Sequence, residues 1–186
     1  MIFDYRDVIQ EILIDEVTLQ RRIAELGSQI DRDYAGKYPI LVCVLRGGVL
    51  FLTDLIRNLT VPHIIDFMAV SSYGAGARQS TGQVRINFDL GVDIYDRDVL
   101  LVEDIIDSGY TLKKVIDMLQ TRHPRSVKVC ALLDKAARRQ VAVPIDYLGF
   151  SIPDKFVFGY GLDLDEYYRN LPFIAAVDPR KYRPPE

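Results

Sequence analysis

The chain lacks most of the features that announce a secreted, membrane or nucleic-acid-binding protein. No run approaches the roughly 18 consecutive apolar residues of a transmembrane helix. The opening MIFDYRDVIQE carries acids at once instead of an apolar leader. The expectation is a cytoplasmic protein with no membrane partner. Only two cysteines occur, Cys43 in ILVCVL and Cys130 in VKVCALL. They are too few for a disulfide framework or a metal cage, and their apolar settings suit buried free thiols. Positive charge is not in excess: 23 Lys and Arg face 26 Asp and Glu, leaving a net charge of -3. No global basic field exists to gather nucleic acid or anionic lipid. GxxxxGK[ST] is missing, as is G-x-G-x-x-G after a strand, so ATPases and dinucleotide-dependent dehydrogenases lose their usual support.

What is present fits one globular domain spanning residues 1–186, with 49% hydrophobic and 26% charged residues. After Asp15, a candidate cap, Leu19, Ile23, Leu26 and Ile30 recur at helical spacing until Gly36. YPILVCVL (38–45) is apolar on both faces, as a buried parallel strand should be, and Arg-Gly-Gly separates it from the helical VLFLTDLIRNL. IIDFMAVSSY (64–73), QVRINFDL (83–90), residues 98–104, SVKVCALL and VPIDYLGF read as further strands. The glycine-rich GAGARQSTG reads as a mobile loop, and Leu112, Val115, Ile116 and Leu119 as another helical stripe. This order predicts an α/β fold, a mostly parallel twisted sheet flanked by helices, with ligands bound beyond the carboxyl ends of its strands. The aromatic and acidic C-terminal segment is expected to cap one edge of the sheet, with PRKYRPPE fraying.

LVEDIIDSGYT (101–111) joins a buried strand to a helix start. Amides freed at such a start, together with the peptide dipoles, hold phosphate without arginine, and Ser108 and Thr111 add hydroxyl donors. The plainer account is that Asp107 or Ser108 simply caps the helix. Three carboxylates beside an anion site argue for a larger ligand. Glu103 and Asp104 suit sugar hydroxyls or hydrated magnesium, and Asp107 suits a proton from a second substrate.

VLLVEDIIDSGYTL resembles the phosphoribosyl-diphosphate signature of the type I phosphoribosyltransferases. LRGG (45–48), SSYG and STG around the glycine loop, LLDK (132–135) and IPDKFVFGYGLDLDEYYR (152–169) follow in the order of the family's hypoxanthine-guanine branch. The resemblance covers most of the chain. It implies the type I fold with a small hood built from the N-terminal segment and roughly residues 145–186. It also implies transfer of a 5-phosphoribosyl group from phosphoribosyl diphosphate to hypoxanthine or guanine, with Mg2+ as cofactor, in a homo-oligomer, dimer or tetramer.

Carried over residue by residue, the resemblance implies that Asp107, Ser108, Gly109, Tyr110 and Thr111 surround the 5-phosphate. Glu103 and Asp104 would address ribose hydroxyls and metal, Ile105 would line the substrate site, and Asp107 would also be the base near purine N7. Lys135 would donate to the purine O6, Phe156 would stack on the ring and the Val157 backbone would meet its edge. Asp163 would hold a second magnesium. Arg46 and Gly47, after a cis peptide, and Arg169 would bind pyrophosphate, while Ser72 and Tyr73 would begin a closing loop.

Taken alone, Lys135 would be an ordinary solvated strand end, Phe156 and Val157 core, Asp165 and Glu166 solvated acids, and His63 and His123 boundary residues. Two departures stand out. Arg46 replaces a lysine common among relatives, and Tyr110 replaces the lysine of the animal enzymes. A second class of function, a regulatory protein that keeps the phosphoribosyl-diphosphate site and binds nucleic acid, is disfavoured by the net charge.

Overall fold

The computed structural model describes residues 4–72 and 84–182. The helix expected after Asp15 is α1 (Glu16–Asp33), and the Asp15 carboxylate accepts from the Thr18 amide as its cap. Leu19, Ile23, Leu26 and Ile30 are its fully buried stripe. Besides α1, the elements that matter to the site are β2 (Ile40–Leu45), α2 (Val49–Arg57), β3 (Ile64–Ser72), β4 (Val84–Phe88), β5 (Asp98–Ile106), α3 (Tyr110–Gln120), β6 (Ser126–Asp134) and β7 (Tyr147–Ser151). They form a six-stranded sheet in the order β4-β3-β2-β5-β6-β7, parallel throughout except for the antiparallel edge strand β4.

Alternate residues of the central strands divide two cores. Leu41, Cys43, Leu100 and Val102 pack with α1 and α2, while Ile40, Val42, Val99 and Leu101 pack with Leu112, Val115, Ile116 and Leu119 of α3. Burial on both faces is what a continuous apolar strand demands. The chain leaves β2 in one direction to build β3 and β4, then returns to build β5, β6 and β7 on the other side. The carboxyl ends of β2 and β5 therefore flank the switch point where α/β sheets open a crevice.

A second sheet of three antiparallel strands, in the order β1-β9-β8, combines β1 (Ile9–Ile14) with β8 (Val157–Phe158) and β9 (Ile174–Val177). Its core is Val8, Phe158, Leu164, Leu171, Ala175 and Val177. Tyr147–Ser151 belongs to the larger sheet, so the C-terminal strands of the small one start at Val157. The Tyr160 hydroxyl donates to Asp54 of α2 at 2.6 Å, and Lys155 pairs with Glu11 of β1. The tail expected to fray is held as far as Tyr182, whose amide donates to the Asp178 carbonyl at 3.0 Å. No described helix is long and apolar enough to cross a membrane.

Candidate active site

The carboxyl ends of β2 and β5 open into a cleft of about 280 Å³ lined by Leu45, Glu103, Asp104, Ile105, Asp107, Ser108, Gly109 and Thr111 among others. At one end of the cleft, Gly109 takes a left-handed φ of +90 and is the N-cap of α3, a cap residue with no side chain of its own to bond the helix start. A Cβ at Gly109 would meet the Val141 carbonyl at 2.6 Å, so both conformation and space require glycine. Ser108 Oγ lies 3.5 Å from the Tyr110 amide, and the Ser108 carbonyl accepts from the amides of Gln140 and Val141 at 2.9 and 3.1 Å. Of the two capping candidates, Ser108 makes one long bond to the helix start, that to the Tyr110 amide, whereas Asp107 Oδ1 has no hydrogen-bond partner. The first intrahelical bond is that of the Lys113 amide to the Gly109 carbonyl, so the amides of Thr111 and Leu112, residues that line the cleft, are left as donors at the positive dipole end.

Glu103 is buried, and burial followed by repulsion from Asp104 pushes its carboxyl well above the usual carboxylate range. Burial likewise raises Asp104 to about 6, against the opposing effects of the Ile105 amide, its own amide and Arg169. Asp104 Oδ1 accepts from the Ile105 amide at 2.7 Å. On its other side it rests against Gly47, where a Cβ would fall 1.5 Å from Oδ2. Gly161, at φ +97, brings the other wall equally close: a Cβ there would lie 2.0 Å from the Gly47 carbonyl. The Leu45–Arg46 peptide is cis, as the resemblance implied.

Around this crossing runs a chain of alternating charges. Arg46 Nη1 donates to Glu166 at 2.7 Å. Arg169 Nη2 lies 3.4 Å from the same carboxylate and 2.9 Å from Asp163 Oδ1, and Arg169 Nη1 donates to the Gly161 carbonyl at 2.8 Å. Glu166, expected to be merely solvated, is thus a member of the network.

At the far end of the cleft Asp107 Oδ1 is buried without a hydrogen-bond partner, and Arg138 Nε stands 3.2 Å away as an ion pair. Arg138 Nη1 also reaches Asp154 at 3.7 Å. Lys135 is buried. Desolvation lowers its pKa although Asp107 opposes this, so the solvated-lysine account does not hold. Phe156 is 56% exposed, whereas Val157 is buried and can offer the site only its backbone.

Ser72 ends β3; Tyr73 and the rest of the expected closing loop lie outside the described residues. The other predicted site residues sit at the carboxyl ends of the parallel strands, in the turns that follow them, in the first turn of α3, or on β8 and the loops beside it. Sequence reasoning missed Arg138, Glu166 and Gly161. Only the second glycine of GYG carried a signal, since a glycine there marks a close backbone approach.

The chain that builds this parallel sheet, with a helix start and two adjacent acids at its switch point, matches the phosphoribosyl transferase domain over residues 11–166 and belongs to that family. Within it, the chain is similar to the hypoxanthine phosphoribosyltransferase of Salmonella typhimurium, with 51% identity over 90% of this chain and 94% of that one. The hypoxanthine-guanine phosphoribosyltransferase of Mycobacterium tuberculosis is 49% identical over 96% and 91% of the two chains. A crystal structure of a hypoxanthine phosphoribosyltransferase from Staphylococcus aureus superposes with a TM-score of 0.91 at 44% identity, covering 96% of each chain.

Proposed function

We propose that this chain performs purine salvage. It transfers the 5-phosphoribosyl group of phosphoribosyl diphosphate to hypoxanthine or guanine, giving the nucleoside monophosphate and pyrophosphate. The observation that carries the site assignment is the opposition inside one cleft: a helix start with open amides, suited to phosphate, lies beside carboxylates whose pKa burial raises.

The 5-phosphate takes the amides of residues 108–111 and the hydroxyls of Ser108 and Thr111. Glu103 and Asp104 face the ribose hydroxyls. The pyrophosphate takes the backbone at Arg46 and Gly47, with Arg169 supplying a guanidinium. As the bond between C1 and the pyrophosphate oxygen lengthens, a purine nitrogen forms its bond to C1. The proton at N7 passes to Asp107, whose negative charge also favours the cationic sugar.

Lys135 donates to the purine O6. A 6-amino group would leave that ammonium unmatched, which excludes adenine. Phe156 stacks on the ring, Ile105 lines the site, and the Val157 backbone meets the ring edge.

Two raised carboxylates in contact invite a cation, and no three of the described His, Cys, Asp and Glu residues converge to hold one alone. That donor set fits Mg2+ shared between protein and substrate, with Glu103 and Asp104 holding one ion and Asp163 another. Held by these carboxylates, Mg2+ would supply positive charge to offset that of the departing pyrophosphate.

Steady-state assays with hypoxanthine, guanine, xanthine and adenine, each with phosphoribosyl diphosphate and Mg2+, test the assignment. Pyrophosphate release is expected with 6-oxopurines and not with adenine; no release with any base would refute it. The homo-oligomer implied by the family is supported by exposed Ile65 of β3 and by Ile86 and Phe88 of the edge strand β4. Sedimentation giving a monomer at micromolar concentration would refute that part.

A further inference from the structure

The C-terminal turn beyond β9 carries an aromatic ring to the residue proposed to stack on the base. The Tyr182 and Phe156 rings lie 6.3 Å apart, centroid to centroid, with their planes 11° from parallel. That spacing and angle fall within the offset-stacked range. Phe156 remains more than half exposed despite this contact. One face of the ring is therefore covered while the rest is open. Tyr182 also packs against the core of the small sheet formed by Val8, Phe158, Leu164, Leu171, Ala175 and Val177. The covered face is thus the one turned toward that core, and the open face is left for a ligand.

The turn that presents Tyr182 is fixed at several points. The Asp178 amide donates to the Val8 carbonyl at 2.8 Å, and the Val177 amide donates to the Phe156 carbonyl at 2.9 Å. The amides of Lys181 and Tyr182 both donate to the Asp178 carbonyl at 3.0 Å. The buried Asp178 carboxylate accepts from the Arg180 amide and Nε at 3.0 Å and from its Nη2 at 2.8 Å. None of these bonds is made by the Tyr182 side chain, so the order they give the turn does not depend on the ring.

We propose that Tyr182 is a positioning residue for the purine base. It backs the Phe156 ring on the face away from the ligand and holds it flat, so that the base stacks on a surface already ordered. The proposal rests on the stacking role assigned to Phe156. An exposed Phe ring with no support samples several rotamers, and binding would have to select one of them. The stack removes that cost before the base arrives. The effect falls on base affinity, because the ring that Tyr182 stacks against is the one assigned to the base.

Steady-state kinetics on the full chain, varying hypoxanthine and phosphoribosyl diphosphate separately, test this with Tyr182→Ala, Tyr182→Phe, Tyr182→Leu and Phe156→Ala. An aromatic pair of ordinary strength predicts that Tyr182→Ala raises the KM for hypoxanthine about two- to tenfold. The KM for phosphoribosyl diphosphate should stay within about twofold and kcat should be little changed, with Tyr182→Phe restoring wild-type behaviour. Tyr182→Leu keeps apolar bulk on the small-sheet core but loses the flat face, so it should resemble the alanine variant even if the latter folds poorly.

If Phe156→Ala raises the hypoxanthine KM while Tyr182→Ala and Tyr182→Leu leave it unchanged, the backing role is wrong and the stacking role stands. An unchanged KM in Phe156→Ala would remove the stacking role and with it this inference. A lower hypoxanthine KM in Tyr182→Ala would mean that Tyr182 occupies the base's own face, which also overturns the proposal.

Discussion

The two ends of the parallel sheet use the same kind of residue in opposite ways. At the amino end, acids are matched. Asp98 accepts from the Ser126 hydroxyl at 2.6 Å and lies 3.5 Å from Arg125. Asp31 accepts from the Thr60 amide at 2.9 Å, from the Thr60 hydroxyl at 2.8 Å and from the Val61 amide at 3.0 Å. Partial burial alone would raise the Asp31 pKa, but the bonds from Val61 and Thr60 outweigh it and the net shift is downward. At the carboxyl end, Glu103 and Asp104 are raised, Asp107 Oδ1 has no hydrogen bond and buried Lys135 is depressed. The first arrangement joins elements together. In the second, Arg138 pairs with Asp107, but the bonds and the Arg169 charge around Asp104 do not offset its burial, and Glu103 is raised by burial and by its neighbour, at some cost to the free protein.

The largest effect expected from breaking this contrast is on chemistry at the carboxyl end. Asp107→Asn should keep the fold and bind both substrates while lowering single-turnover rates by about 100- to 10,000-fold, the usual reach of a general base. Rapid-quench measurement of nucleotide formation checks this, and an unaltered rate would remove Asp107 from the mechanism.

Lys135→Ala should weaken hypoxanthine binding about 10- to 100-fold, the loss expected when a charged hydrogen bond disappears. Phosphoribosyl diphosphate affinity should change far less; calorimetric titration of each substrate separates the two, and equal losses would make the lysine structural.

The contrast sharpens at the amino end, where the opposite behaviour is expected. Asp31→Ala strands the amides of Thr60 and Val61 and should cost about 1–3 kcal/mol in urea unfolding. Its kinetic constants should stay near wild type, because Asp31 holds the segment that enters β3, at the other end of the strands from the cleft. A large fall in kcat with no loss of stability would erase the distinction between the two ends.

The same division explains what the sequence made legible. Asp15 and the Leu19, Ile23, Leu26 and Ile30 spacing determine α1 through local rules, and the apolar runs of β2, β5 and β6 need cover on both faces, so the sheet and its helices could be read directly. β1 escaped because its burial is patchy and it pairs with a strand about 160 residues away, a contact no local pattern encodes. Residues 159–168 escaped for another reason: Gly159, Tyr160, Gly161, Asp165, Glu166 and Tyr168 all have positive φ, which only the two glycines advertise. The acids of β5 and the phosphate turn stood out because carboxylates beside an anion site conflict with plain capping. Arg138 did not, since an arginine in AARRQ carries no such conflict until the fold brings it to Asp107.

The central claim is that the acids at the carboxyl end are held at a cost in the free enzyme, and Asp104 tests it most directly. Its pKa is raised from an unfolded value of about 4 to about 6. The folded chain therefore binds the proton more tightly than the unfolded one, and stability is lost as pH rises through that window. Urea unfolding of the ligand-free protein and of Asp104→Asn, at intervals from pH 4 to pH 8, measures the difference between them. The wild type should lose about 2 kcal/mol relative to the variant over that range, with most of the change complete by about pH 7. Parallel pH profiles, or a wild type that gains on the variant as pH rises, would contradict the account.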